Sequence, residues 1–82
     1  MFEYIVSENF SSLSINTVGF CDDFSQVKKE ILSQTPECTH YRSTYPNGFI
    51  IESEQYSDRI ILRSNWILEQ NSADTWFPRK PQ

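Results

Sequence analysis

The chain has 82 residues and a formal net charge of −4, with 38% hydrophobic, 22% charged and 15% aromatic residues. That length makes one domain whose core is small, with few residues to spare for an enclosed catalytic cavity. No apolar run approaches the ~20 residues of a membrane-spanning helix, no charged-then-apolar leader opens the chain, which predicts a cytoplasmic protein, and no cluster among the seven Lys and Arg residues offers the basic patch that nucleic-acid binding requires.

In chain order, Phe2 to Val6 alternates and predicts a strand, with Phe2, Tyr4 and Val6 on one face. Glu8-Asn9-Phe10-Ser11 predicts a turn, and Ser12 to Phe20 a second strand that forms a hairpin with the first. Gly19 weakens the end of that strand. Asp23 is a candidate helix cap, with Gln26 placed to bond back as in a capping box, and Asp22 adds charge favourable to the helix dipole. Phe24, Val27 and Ile31 share one helical face with Leu32 beside them. Pro36 disfavours helical geometry at Thr35. The spacing therefore predicts an amphipathic helix from Phe24 to about Gln34.

Thr39 to Tyr45 alternates again, and Pro46-Asn47-Gly48 signals a tight turn because Pro presets φ and Asn-Gly accepts positive φ. Phe49 to Glu54 is the returning strand. Arg59 to Glu69 predicts a long last strand, bent at Ser64-Asn65. Residues 71–82 have no periodicity and two prolines, and read as a tail. The sum is an α+β domain over residues 1–70: an antiparallel sheet of four to five strands with one amphipathic helix packed on one face, in the order β-β-α-β-β-β.

Cys21 and Cys38 flank the predicted helix. About eleven helical residues span roughly 16 Å, whereas disulfide Cα atoms lie within ~7 Å, so two reduced thiols are expected. Cys21, Cys38 and His40 lack the spacing of a metal site. Cys38 and His40, two apart on a strand, are the sharpest candidates for a nucleophile and its base, but no oxyanion loop accompanies them, and Asp22-Asp23 sits where caps sit. Phosphate-binding and hydrolase motifs are missing. The expectation is a protein that is not an enzyme and uses no metal or cofactor.

Surface chemistry supplies the candidate binding residues. Glu52 and Glu54 share one strand face and, with Asp58, could mimic phosphate spacing toward the Lys and Arg of a partner; alternatively they are a solvated face. Tyr45 and Tyr56 belong to an aromatic series divided between core and surface. Trp76 and Phe77, late in the chain, either pack back on the sheet or dock into a partner.

In size, mild acidity and helix-on-sheet layout, the chain resembles small phage-encoded inhibitors of bacterial defence, such as the anti-CRISPR proteins. That resemblance implies stoichiometric binding that blocks a nucleic-acid-handling complex through a protein surface, in the host cytoplasm, without touching nucleic acid or membrane. "TVGFCDDFSQVKKEI" (Thr17–Ile31) and "EQYSDR" (Glu54–Arg59) are similar to the second strand and helix of ubiquitin-like β-grasp domains and to their DWNN subtype. This implies an interaction module of a larger protein, although the chain ends in Arg-Lys-Pro-Gln and not Gly-Gly. An exposed edge strand, the first or the last, would let two copies pair.

Overall fold

The structure, a computed structural model, describes residues 1–8, 13–72 and 74–82. Asn9 to Ser12, which carry most of the expected first turn and the start of the second strand, lie outside them. The described residues form eight strands: β1 (Phe2–Val6), β2 (Ser14–Ile15), β3 (Lys28–Gln34), β4 (Thr39–Thr44), β5 (Ile50–Gln55), β6 (Ile60–Ser64), β7 (Ile67–Ser72) and β8 (Thr75–Arg79). Five make an antiparallel sheet in the order β1-β6-β5-β4-β3, and three make a smaller sheet in the order β2-β8-β7, where β2 and β8 run parallel. No helix among the described residues is long and apolar enough to cross a membrane.

The expected α+β architecture is thus corrected to a nearly all-β one with no helix of seven or more residues. The capping signal itself is present. The Asp23 side chain accepts the Ser25 backbone N–H at 3.0 Å, and Gln26 Oε1 accepts the Asp23 N–H at 3.4 Å. They cap one 3-10 turn, Phe24–Gln26, after which Val27 is extended at φ −83° and ψ 120°. Lys28–Gln34 then pairs along β4. An isolated helix of about eleven residues is marginal in water, whereas extended pairing satisfies the backbone of two strands at once. The supposed apolar stripe is left in solvent: Phe24 and Ile31 are 71% and 70% exposed, and Val27 alone is buried. Pro36 does not end a helix. It sits in the two-residue loop of the β3–β4 hairpin, where the Thr35 N–H donates to the Cys38 carbonyl at 2.9 Å.

Three further expectations are corrected. β1 and β2 do not form a hairpin, because β1 pairs with β6 and β2 with β8. The long last strand is two strands in different sheets, broken after Ser64. The segment read as a tail carries β8, the middle strand of the smaller sheet. The β4–β5 hairpin forms as expected: the Tyr45 N–H donates to the Phe49 carbonyl at 2.8 Å, and Gly48 takes the positive φ, +94°, that the turn requires.

Between the sheets lies a core of Val6, Phe49, Ile60, Leu62, Leu68 and Trp76. Phe20, Tyr45, Phe49 and Trp66 form an aromatic cluster at one end. The Phe49 ring sits 5.3 Å from Phe20 and from Trp66 and 5.4 Å from Tyr45, all tilted or edge-on, geometry that adds roughly 0.5–1.5 kcal/mol per pair beyond burial.

The chain changes sheets at Ser64-Asn65-Trp66, and two side chains fasten that corner to the start of β5. The fully buried Ser64 hydroxyl donates to the Ile50 carbonyl at 2.8 Å and accepts the Trp66 N–H at 3.0 Å. Asn65 accepts the Ile50 N–H at 2.9 Å and donates to the Gly48 carbonyl at 2.9 Å. Replacing Ser64 by Ala removes the acceptor of a backbone N–H at the corner. The expected cost is about 1–3 kcal/mol, seen as a fall in Tm of roughly 4–8 °C for each kcal/mol in a domain of this size. An unchanged Tm would show that the hydroxyl is dispensable.

Candidate functional site: a charge-paired outer face and an uncharged inner groove

The five-stranded sheet has two unlike faces, because period-2 alternation keeps the charges of β1, β4, β5 and β6 on one side, while in β3 Lys29 turns inward opposite Ser43. The outer face carries one row straight across all five strands: Glu3 opposite Arg63, Arg63 opposite Glu52, Glu52 opposite Arg42, and Arg42 opposite Glu30. The signs alternate along the whole row. In the next row His40 stands opposite Glu54.

These groups bind one another. Arg63 Nε donates to Glu3 Oε2 at 2.8 Å, and its other arm reaches Glu54. Glu54 also accepts the Tyr56 hydroxyl at 2.8 Å. His40 Nε2 lies 3.2 Å from Glu52 Oε1, and Arg42 donates to Glu30 at 3.4 Å. The Arg63 hydrogen bond, then that of Tyr56, holds the Glu54 carboxyl below its usual range, against the opposing effect of burial. The same Glu54 carboxylate, with the neighbouring Cys38 thiol, pushes the Tyr56 phenol up to about 12. The Arg59 guanidinium lies over the Tyr56 ring, 4.2 Å from its centroid.

The predicted binding residues therefore fall in four places. Glu52, Glu54 and Tyr56 gather on or beside the outer face, with Glu52 and Glu54 half-buried and engaged within the sheet. Asp58 is exposed in the β5–β6 turn and pairs with Arg59 at 2.9 Å. Tyr45 and Trp76 belong to the core, where the Trp76 ring lies 5.5 Å from Tyr4. Phe77, the next residue on β8, is half-buried and points to the opposite side of the smaller sheet. Cys21 and Cys38 are unpaired and half-buried.

A different feature lies on the inner face. The smaller sheet covers β1, β6 and part of β5; the core takes no residue from β3 or β4. A groove of about 450 Å³ opens there, floored by Ile51, Ile60 and Leu62 and walled by Leu13 and Ile15. Tyr41, Ser43, Ser53, Gln55 and the predicted Tyr56 supply its polar side, where Gln55 donates to the Tyr41 hydroxyl. None of the described lining residues is charged. A second depression of about 460 Å³ at the β3 edge is bordered by Tyr41, Ser43 and Ile31 together with the charged Lys29, Glu30 and Arg42. Sequence reasoning singled out none of the groove's serines, since an inward-facing Ser among apolar residues looks like an ordinary strand position.

No protein-family model, curated protein or solved structure matches this chain.

The coupling of Glu54 to Arg63 has a direct consequence for acid stability. A carboxyl whose folded pKa is depressed stabilises the fold above its unfolded pKa and loses that contribution as pH falls through the folded value. The urea midpoint is expected to fall as the solution is acidified from about pH 5. Arg63→Gln should lower the midpoint near neutrality and flatten its acid dependence. Parallel pH profiles for the two proteins would contradict this coupling.

Proposed function

We propose that this chain is a non-enzymatic binding protein that holds an uncharged, partly apolar peptide segment of a macromolecular partner in the groove between its sheets, and blocks that partner by occupying it. The observation that carries this reading is the groove between the sheets with its uncharged lining. In a chain with 22% charged residues, a track without charge selects an occupant without charge, since an unpaired ion placed there loses its hydration. The depression beyond Tyr41 and Ser43 is edged by Lys29, Glu30 and Arg42, so the selection against charge belongs to the groove between the sheets.

The outer face supports the same reading from the other side. A phosphate mimic needs free carboxylates, and Glu52 and Glu54 are engaged by His40, Arg63 and Tyr56. The carboxylates and cations that cluster there satisfy one another on a sheet surface, and Tyr56, which bonds Glu54, also lines the groove. In this reading, blocking a nucleic-acid-handling complex would proceed through a peptide segment of that complex and not through its basic surface.

Selection from a random peptide display library tests this. The native chain is expected to enrich peptides lacking Lys, Arg, Asp and Glu. Ser43→Arg, which brings a cation into the groove, should weaken binding of those peptides at least about tenfold, equivalent to roughly 1.4 kcal/mol. Failure to enrich any peptide, or undiminished binding by Ser43→Arg, would remove the groove from consideration.

A further inference from the structure

The two edges of the large sheet are built differently. β3 begins with Lys28 and Lys29, and its register with β4 shifts between Ile31 and Ser33. Edge lysines and bulges both discourage the addition of another strand. β1 has neither. Its five residues, Phe-Glu-Tyr-Ile-Val, pair with β6 at five successive positions without a shift. It contains no Lys, Pro or Gly, and four of its residues favour extended structure. On its other side no strand is paired with it among the described residues.

This edge also collects apolar surface. Met1, Phe2 and Ile5 are 66%, 42% and 64% exposed. Ile5 stands opposite Ile61 on the outer face, an apolar spot at the end of a face otherwise ruled by paired charges.

We propose that a second copy of this chain pairs with β1, antiparallel about a two-fold axis, so that two five-stranded sheets become one continuous sheet. The side chains choose the register. Centring the pair on Glu3 sets two carboxylates directly opposite, which is destabilising. Centring it on Tyr4 sets the Glu3 carboxylate against Ile5. Centring it on Ile5 brings the two Ile5 side chains together, flanked by the two Ile61. It also sets Tyr4 against Val6 of the second copy on the inner face and Glu3 against Ser7. That third register opposes no like charges, keeps inner residues on the inner face, and leaves Glu3 with Arg63. The contact is self-complementary, as two-fold pairing requires. A single strand edge buries less than the ~800 Å² per partner of a standard stable interface, so the dimer forms with rising concentration.

Sedimentation equilibrium on the full chain tests the proposal. The native protein should approach twice the 9.7 kDa of one chain as concentration rises. Ile5→Lys should stay monomeric throughout with its circular dichroism and Tm retained, and Ile31→Lys on the opposite edge should still dimerise. The register has its own test in a Cys21→Ser/Cys38→Ser background. Directly opposed antiparallel residues have Cα atoms about 4.5–5.5 Å apart, inside the roughly 4.4–6.8 Å span of a disulfide. Ile5→Cys should therefore give covalent dimers on mild oxidation while Glu3→Cys does not. A native chain that remains monomeric at its solubility limit, a dimer that survives Ile5→Lys, or cross-linking at position 3 in preference to position 5 would each overturn it.

Discussion

The architecture turns on a buried hydroxyl. Between Ser64 and Ile67 the chain leaves the large sheet and enters the small one, and at such a corner backbone groups leave one ladder before they join the next. Unmet polar groups in the interior are costly. Ser64 and Asn65 supply both a donor and an acceptor to the backbone around Ile50, Trp66 and Gly48, so the corner is tied to the turn that begins β5. With that tie in place, Trp66 reaches the rings of Phe20 and Phe49, and β7 and β8 are laid over the β1–β6 half of the large sheet. The bare half over β4 and β3 is the complement of the same arrangement. Groove and core are two outcomes of one change of direction.

The outer face is better understood as a register device than as a source of stability. Cross-strand ion pairs contribute only roughly 0.2–1 kcal/mol each. Their collective effect is to penalise slippage, because a shift by one residue carries every side chain to the opposite face. Such a slip would place Arg63 and Glu54 against the apolar floor of the groove and expose Leu62 and Ser53. The alternating row from Glu3 to Glu30 thereby protects the inner face, whose groove has no charged lining of its own to specify it. Stability comes instead from the aromatic and aliphatic core and from the ladders.

Much of this was legible in the residues, and what was not has identifiable physical causes. Pro46-Asn47-Gly48 announced its hairpin because the conformational demand of the turn is local. Given that hairpin, Arg42 necessarily faces Glu52, so part of the charge row could have been read by counting outward from the turn. The break at Ser64-Asn65 was visible as a bend, but not that the bend separates two sheets, since the bonds to Ile50 and Gly48 join residues far apart in sequence. The failure at Phe24–Gln34 is instructive. Asp23 and Gln26 did form their cap, and the 3.6-residue spacing of Phe24, Val27 and Ile31 was real. A strand partner at Thr39–Thr44 outweighed both, and the apolar residues that suggested a buried stripe became surface. Charge type and alternation placed Glu52 and Glu54 on one strand face, whereas their partners Arg63 and His40 come from neighbouring strands that periodicity within one segment cannot reveal. Trp76 and Phe77 showed no alternation because Pro78 follows them, yet β8 lies centrally in its sheet.

The parallel pairing of β2 with β8 also constrains how the molecule comes into being. Ser14 lies beside Thr75, 61 positions later in the chain, and contacts of such long range form slowly because the intervening chain must first be brought together. During synthesis the hairpins of the large sheet can assemble while the polypeptide is still growing. The short strand at Ser14–Ile15 must wait, without its neighbour, until Thr75 and Trp76 have been added. The apolar wall that Leu13 and Ile15 give to the groove therefore takes its place only after β8 has been made, and a nascent chain would have its ladder of charges long before its groove had two sides.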